Sequence, residues 1–453
     1  MEDAATPECP RCRELEKIIA DLQARLEKLE RESKRQAAPF RKPKKLDSKR
    51  SGRKPGKDYG QHRRRETPTQ IDESYEVPLP DACPDCGGHK LEQITTVTQY
   101  QIEIPQTVIH REFTIATGTC KQCGAAVQGR HELQTSDATG AAGVQFGPNV
   151  HAAIAIANKE LGLSHGKVVK LLRNLFGLDI GRSTSCRSVL RTGTRLESAY
   201  QAIRHDVRGS PQVVADETGW RVNGTSAWLH DFVGLTATCY VIDPTRSLNP
   251  ALELLGQDWS GILVHDGWSP YDKFAQAKHQ QCLAHLLRRA NSLIEQACGR
   301  ALVFPRAVKS LLQEGLNARD RACAGMITWH GASIIAGRLK SQLQRLTETI
   351  KSNIQHERFA KFLHNHLDSI FTFLQIPGTD ATNWRGEQAI RPAVVNRKVW
   401  GGNRTWSGAV AQQNIASVIQ TCTQRSADAF NFIRQSLCAF NGSVPLPRAP
   451  AVR

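Results

Sequence analysis

The chain has 453 residues, with 60 lysines and arginines against 43 acidic residues, a formal charge of +17 and a pI near 9.5. Such a length excludes a single small domain and is on the order of three, and no apolar window approaches the ~18 residues of a membrane span. The basic excess points to a polyanionic partner, because basic surface gains affinity for nucleic acid by counterion release.

The first residues, Met1 to Glu8, are acidic and polar rather than a signal peptide, which predicts a cytoplasmic protein. The thirteen cysteines agree: six fall into C-x-x-C pairs instead of a disulfide-like scatter. Cys9 and Cys12, the first pair, either bind metal between two chains or simply precede a helix. Over residues 13–32, Leu15, Ile19, Leu22, Leu26 and Leu29 recur at alternating spacings of four and three, the seam of a short leucine-zipper coiled coil. That seam predicts a homodimer or higher oligomer; an amphipathic helix packed on its own chain is the other reading. Residues 33–70 read as a basic linker or arm. Between Lys34 and Arg65 stand 14 lysines and arginines and two acids, and Pro39, Pro43, Gly52, Pro55, Gly56 and Gly60 break any helix there.

Residues 71–135 carry the other two pairs, Cys83-Pro-Asp-Cys86-Gly and Cys120-Lys-Gln-Cys123-Gly. A glycine after each second cysteine lets the backbone turn and donate to the thiolates, and four thiolates make a closed structural Zn²⁺ site. The stretch from Ile94 to Ile115 predicts a hairpin spanning this zinc ribbon. Residues 140–208 read as a helical, helix-turn-helix-like DNA-binding region. Lys167 to Phe176 forms one helix, Gly177 and Asp179 break it, and Ser183 is expected to cap a second helix on which Arg187, Arg191 and Arg195 share a face. That face either meets phosphates or base edges or is simply solvated.

In the expected catalytic domain, residues 209–440, strand-like runs follow one another at Gln212 to Asp216, Trp228 to Gly234, Thr238 to Ile242 and Gly261 to Asp266. Three meander strands and a fourth beside the first make an α/β, RNase H-like mixed sheet, with Pro250 to Leu255 as the crossover helix and a helical insertion at about 275–380. Asp216 and Asp266 close two of the apolar runs, and Glu387 follows in a polar, Arg-flanked helix. Two or three carboxylates converging on a sheet rim suit Mg²⁺ or Mn²⁺, which take hard oxygen ligands. Glu217 neighbours Asp216 on a strand and is expected to face away from it; Asp231, Asp243 and Asp272 stand as substitutes.

Taken in order, these segments resemble the transposases of the insertion-sequence-66 (IS66) family, which are DDE-type enzymes. The resemblance rests on the zipper, the basic arm, the paired C-x-x-C ribbon, Ala215-Asp216-Glu217-Thr218, Asp266-Gly267-Trp268-Ser269-Pro270-Tyr271-Asp272, Cys282-Leu283-Ala284-His285, Asn383-Trp384-Arg385-Gly386-Glu387-Gln388-Ala389-Ile390-Arg391-Pro392 and Arg397-Lys398. It implies that Asp216, Asp266 and Glu387 form the acidic triad with two Mg²⁺ (or Mn²⁺) ions, acting on double-stranded DNA at element ends and target. It also implies that Arg391, Arg397 and Lys398 join the arginines above in contacting DNA, and that small accessory proteins encoded beside such enzymes are partners. Such a protein is bacterial and nucleoid-associated when bound to DNA. Cys282 and His285 match a near-site element, read here as a buried strand-to-helix turn rather than a metal site. Two departures stand out. The family's Ala-Glu-Arg is Gly386-Glu387-Gln388 in this chain, and its Arg-Lys-Asn is Arg397-Lys398-Val399. A zinc-containing DNA binder without catalysis, and a nuclease without strand transfer, are the competing functions.

Overall fold

The computed structural model describes residues 108–134, 137–139, 145–349, 353–439 and 444–449, with short stretches at 68–76, 87–89 and 98–100 and single residues Arg11, Ile19 and Leu22. The chain divides into two units, residues 1–105 and 106–453. In the first, Arg11, Ile19 and Leu22 are helical and exposed. The rest of the expected zipper, most of the basic arm, and Cys9, Cys12, Cys83 and Cys86 lie outside the described residues.

The second unit opens with a small hairpin, β1 (Thr117–Thr119) and β2 (Ala126–Gln128), paired antiparallel. Cys120 and Cys123 sit in its turn. Gly124 takes the left-handed conformation, φ 73°, which brings its N–H onto the Cys120 carbonyl at 2.9 Å. Backbone N–H groups of Cys123 and Gln122 also hold the Cys120 thiol below its ordinary pKa, as expected of a loop shaped to stabilise thiolate.

Four helices follow: α1 (Pro148–Lys159), α2 (His165–Phe176), α3 (Arg182–Arg195) and α4 (Glu197–Arg208). Ser164 caps α2 by accepting from the Lys167 N–H, and Gly177, φ 66°, ends it. Helix α3 starts after Gly181, one turn position earlier than a Ser183 cap would allow, and Ser183 lies inside the helix. Gly181, extended at φ −77° and ψ 154°, takes the cap position, and no side chain caps the helix.

The sheet is built from β3 (Gln212–Val222), β4 (Thr225–Val233), β5 (Thr238–Asp243), β6 (Ile262–His265) and β7 (Lys278–Gln281), in the order β5-β4-β3-β6-β7. Strands β3, β4 and β5 form an antiparallel meander, and β6 and β7 add in parallel beside β3. Helix α5 (Asn249–Leu255) precedes β6 on the crossover. Two expectations change. Strand β3 runs six residues beyond Asp216, because Asn223 and Gly224, with φ of 51° and 75°, close a two-residue hairpin turn onto β4. And the stretch expected to be helical from about residue 275 begins with a fifth strand. Lys278-His279-Gln280-Gln281 carries no apolar alternation, yet β6 offers it a parallel edge. The buried Gln280 amide finds partners in the Ile370 carbonyl at 3.0 Å and the Phe373 N–H at 2.9 Å.

The inserted helices are α6 (Leu283–Gln296), α7 (Val303–Cys323), α8 (Trp329–Glu348), α9 (Ile354–Asn365) and the short α10 (Leu367–Ile370) and α11 (Thr372–Gln375). They enclose a core of their own, including Leu286, Val308, Leu312, Leu339, Phe359 and Phe373. The chain then returns through α12 (Trp384–Trp400), α13 (Trp406–Gln424) and α14 (Ala429–Cys438).

Strand alternation decides which helix covers which face. Val213, Ala215, Phe232 and Leu263 share a core with helices α1 to α4, α13 and α14. Val214, Leu229, Val233 and Val264 point the other way, onto Ala389, Ile390 and Ala393 of α12. Helix α3 meets α13 at Gly193, while its Ser188 and Ser185 hydrogen-bond His151 of α1 and His165 of α2. A Cβ on Gly193 would stand 2.5 Å from the Ala411 backbone. Gly193→Ala is therefore expected to cost about 1–3 kcal/mol by overpacking, read as a lower denaturant midpoint with an unchanged slope.

Candidate active site

Asp216 sits in the middle of β3 on the face that α12 covers, directly across from Asp231 of β4. Asp266 follows the last residue of β6, and Val214 pairs with Val264, so Asp216 and Asp266 stand at matching positions two residues farther along. The turn that carries Asp266 is closed by its own carboxylate, which accepts from the Trp268 N–H at 3.0 Å. Gly267, φ 96°, makes the turn, and a side chain there would strike Phe362 and Gln281 at 2.7 and 2.9 Å.

Glu387 lies in the first turn of α12, and α12 is anchored by Cys282, the residue preceding α6. The Cys282 Sγ–H donates to Asn383 Oδ1 at 3.1 Å, and the Asn383 N–H donates back to Sγ at 3.3 Å. Burial raises the Cys282 thiol pKa, so it stays protonated in this clasp. Beside it, Arg288 donates to Glu387 Oε1 at 2.6 Å and to His285 Nε2 at 3.2 Å. His285 Nε2 is thus an acceptor, 3.8 Å from Glu387 Oε1, and burial and Arg288 lower its pKa.

The acids feel one another. Burial first, then the charges of Glu217, Asp266 and Glu387, push Asp216 up to about 7, against one stabilising hydrogen bond from the Glu217 N–H. Asp231 is fully buried, neither of its oxygens has a hydrogen-bond partner, and its pKa lies well above the usual carboxylate range through burial and the neighbouring Asp216 and Glu217. Hard oxygen donors under mutual repulsion, with orphaned carboxylate oxygens among them, fit a divalent cation such as Mg²⁺. Asp216, Asp266 and Glu387 do not bring their oxygens within 4.8 Å of one another, however. Glu387 is turned to Arg288.

Among the described residues, the group that does meet this closeness is His265, Asp272 and His279. Its nitrogens are already used. The Gly267 N–H donates to His265 Nδ1 at 3.2 Å, so the proton of neutral His265 is on Nε2, which faces His279 Nδ1 at 3.1 Å. His279 Nε2–H then donates to the Phe274 carbonyl at 3.1 Å. A cation there would have to displace the shared proton.

Glu217 points to the opposite face from Asp216. Its buried carboxylate takes two hydrogen bonds from Arg246, at 3.0 and 2.5 Å, and one at 3.4 Å from the Tyr271 hydroxyl. The Arg246 guanidinium lies over the rings of Trp228 and Trp268, 5.0 and 5.1 Å from their centroids. This stack braces the loop after Asp266 from behind. Asp243 accepts from Thr245 in a turn, and Asp272 lies 3.7 Å from His366.

Of the expected DNA-contacting residues, Arg187, Arg191, Arg391 and Lys398 are exposed and Arg195 is half-buried. Arg397 donates to the Gly219 carbonyl and to Thr218 Oγ1, tying α12 to β3. Sequence reading missed Arg288, Arg246 and Asn383. Arg288 follows His285 at helical spacing, a signal available in the sequence; the reach of Arg246 to Glu217 has no local signature.

A mixed sheet with acids on adjacent strands and on a covering helix is compatible with a DDE-type catalytic domain. The family model described as "Transposase IS66 family" matches residues 143–411. The chain belongs to that family. It is also 23% identical over 299 residues to the uncharacterized protein y4qI of Sinorhizobium fredii, an overlap of 58% of this chain and 53% of that one. The chain thus spans about half the length of the curated relative it matches.

Proposed function

We propose that this protein is a transposase that cuts double-stranded DNA at the ends of a mobile element and joins the freed ends to a target. The observation that carries the reading is the placement of Asp216, Asp266 and Glu387 on neighbouring strands and the covering helix, with Asp216 raised to about 7 by burial and by the other acids. Those three side chains would hold Mg²⁺ or Mn²⁺, which supplies Lewis acidity to the attacking and leaving oxygens of an in-line displacement. The chain's own contribution is orientation. The Cys282–Asn383 clasp sets the start of α12, the Trp268 N–H aims Asp266, and Arg288 holds Glu387. Arg288 is exposed enough, at 58%, to exchange its carboxylate for a phosphate oxygen. Water is the first nucleophile, at the element end, and the released 3′-hydroxyl is the second, at the target phosphodiester.

Cys120 and Cys123 offer two thiolates to a structural zinc ion, and the exposed arginines of α3 offer phosphate contacts. Cys120→Ser is expected to lower the zinc content of the purified chain, measured by chelator release. Homo-oligomers and accessory proteins belong to the same proposal, as does a cytoplasmic location. Among the described residues no helix is long and apolar enough to cross a membrane.

The test is incubation of the full chain and Mg²⁺ with duplexes carrying the DNA that flanks its gene. Nicked and joined products are expected. Shifted but intact DNA would mark a binder without catalysis, the reading favoured by the Arg288–Glu387 ion pair. Free ends that never join would mark a nuclease.

A further inference from the structure

Asp231 is the charged side chain that the triad leaves unexplained. It is 0% exposed, and both of its carboxylate oxygens lack a hydrogen-bond partner. A buried ionised carboxylate without donors is among the costliest groups a core can hold. Its neighbours on β4, Leu229 and Val233, pack in the core beneath α12, so Asp231 shares the face of Asp216 and Asp266. Strands β4, β3 and β6 are adjacent, Asp231 pairs with Asp216, and Asp266 continues the register set by Val214 and Val264. The three aspartates therefore form one row across three strands, at the inter-strand spacing of about 4.8 Å.

Gly386 of α12 packs against this row. A Cβ there would lie 3.3 Å from Asp216 Cβ and 3.4 Å from Asp231 Oδ2. Val214 Cγ1 is equally near, at 3.3 Å, so the lack of a side chain lets the backbone of α12 close down over the Asp216–Asp231 pair. Glu387, the next residue, is drawn off by Arg288.

We infer that Asp231 is a further ligand-side carboxylate of the cation site, beside Asp216 and beneath Gly386. The site is then a row of three strand aspartates, whose oxygens, like those of the triad, do not all lie within 4.8 Å of one another in the metal-free chain, with Glu387 joining from α12. This rests on the metal-dependent reading above, and it adds a residue that the triad does not contain. It gives the opposing oxygens of Asp231 a partner, a hard divalent cation, that no protein donor supplies.

The test measures Mn²⁺ binding to the zinc-replete full chain by calorimetry and by the loss of free-ion paramagnetic signal, in wild type, Asp216→Asn, Asp231→Asn and Gly386→Ala. Asp231→Asn keeps the shape and replaces a buried carboxyl with a neutral amide, so it should fold. Affinity is expected to fall about tenfold or more in Asp231→Asn, on the scale of lost ligand-supporting groups, and to fall in Gly386→Ala, whose methyl group would press on Asp216 and Asp231. Wild-type affinity in Asp231→Asn, with Asp216→Asn impaired, overturns the inference and leaves the metal-dependent reading standing. Wild-type affinity in Asp216→Asn as well, or no Mn²⁺ binding by the wild type, removes both. A rise in the melting temperature of metal-free Asp231→Asn without loss of Mn²⁺ affinity would mark Asp231 as a structural acid only, and also overturns it.

Discussion

Asp266→Asn is expected to bind element-end DNA as the wild type does and to cleave it roughly a thousandfold more slowly, since metal-assisted charge stabilisation is worth several kcal/mol and about 1.4 kcal/mol is tenfold in rate. The substitution is conservative for the fold. Asparagine can still accept the Trp268 N–H through Oδ1, the bond that closes the turn, so the geometry of the loop survives while a charged oxygen is lost. Gel-shift and strand-cleavage assays on the same preparation separate the two properties. Cleavage at the wild-type rate would take Asp266 out of the site.

The metal-free protein is expected to lose stability as pH rises from about 4 to about 7. The sign follows from Asp216, whose carboxyl is raised from an ordinary 3.8 to about 7 in the folded chain. Below 3.8 both states hold the proton and the contribution is fully present; between the two values the unfolded chain releases its proton and the folded chain does not. Stability is therefore lost as pH climbs through the folded value, the reverse of the ordinary ion-paired aspartate. Asp231, also raised by burial and by the neighbouring Asp216 and Glu217, acts in the same direction. Thermal melts of chelator-treated protein at stepped pH measure it, and Asp216→Asn should flatten the profile. Added Mn²⁺ should restore stability most strongly at the upper end, where protons no longer compete for the carboxylates. A pH-independent melting temperature over this range would remove the anionic cluster from the energetics of the fold.

Much of the sheet was legible because its strands carry apolar runs that end in polar breaks. The meander, the parallel fourth strand and the crossover helix follow from Val213-Val214-Ala215, Ile262-Leu263-Val264 and the residues between. Asn223-Gly224 was a short-range signal present and unread, and it moves Asp216 from a strand end to a strand middle. Strand β7 had no such signal. Its buried Gln280 is stabilised by backbone partners about ninety residues away in the sequence, and no local pattern encodes that. The acids were legible as residue types. Their relation was not: Arg288 on an inserted helix holds Glu387, and Asp231 faces Asp216 only because β4 pairs with β3 in one register. The family resemblance pointed to the acidic positions, whereas the Arg288–Glu387 ion pair belongs to this chain's own side chains.

The Cys282–Asn383 clasp has a further meaning when read with the hydrogen bond from the Leu283 N–H to the Ala381 carbonyl, 3.0 Å. The chain departs from the sheet and comes back to it at the same point. Everything in between is an excursion with its own apolar interior, and closing so long a detour adds only slowly to the entropy cost as it grows. Such a module can lengthen, shrink or be exchanged between relatives without relocating the helix that bears Glu387. The thiol clasp is the seam along which a catalytic fold can be refitted.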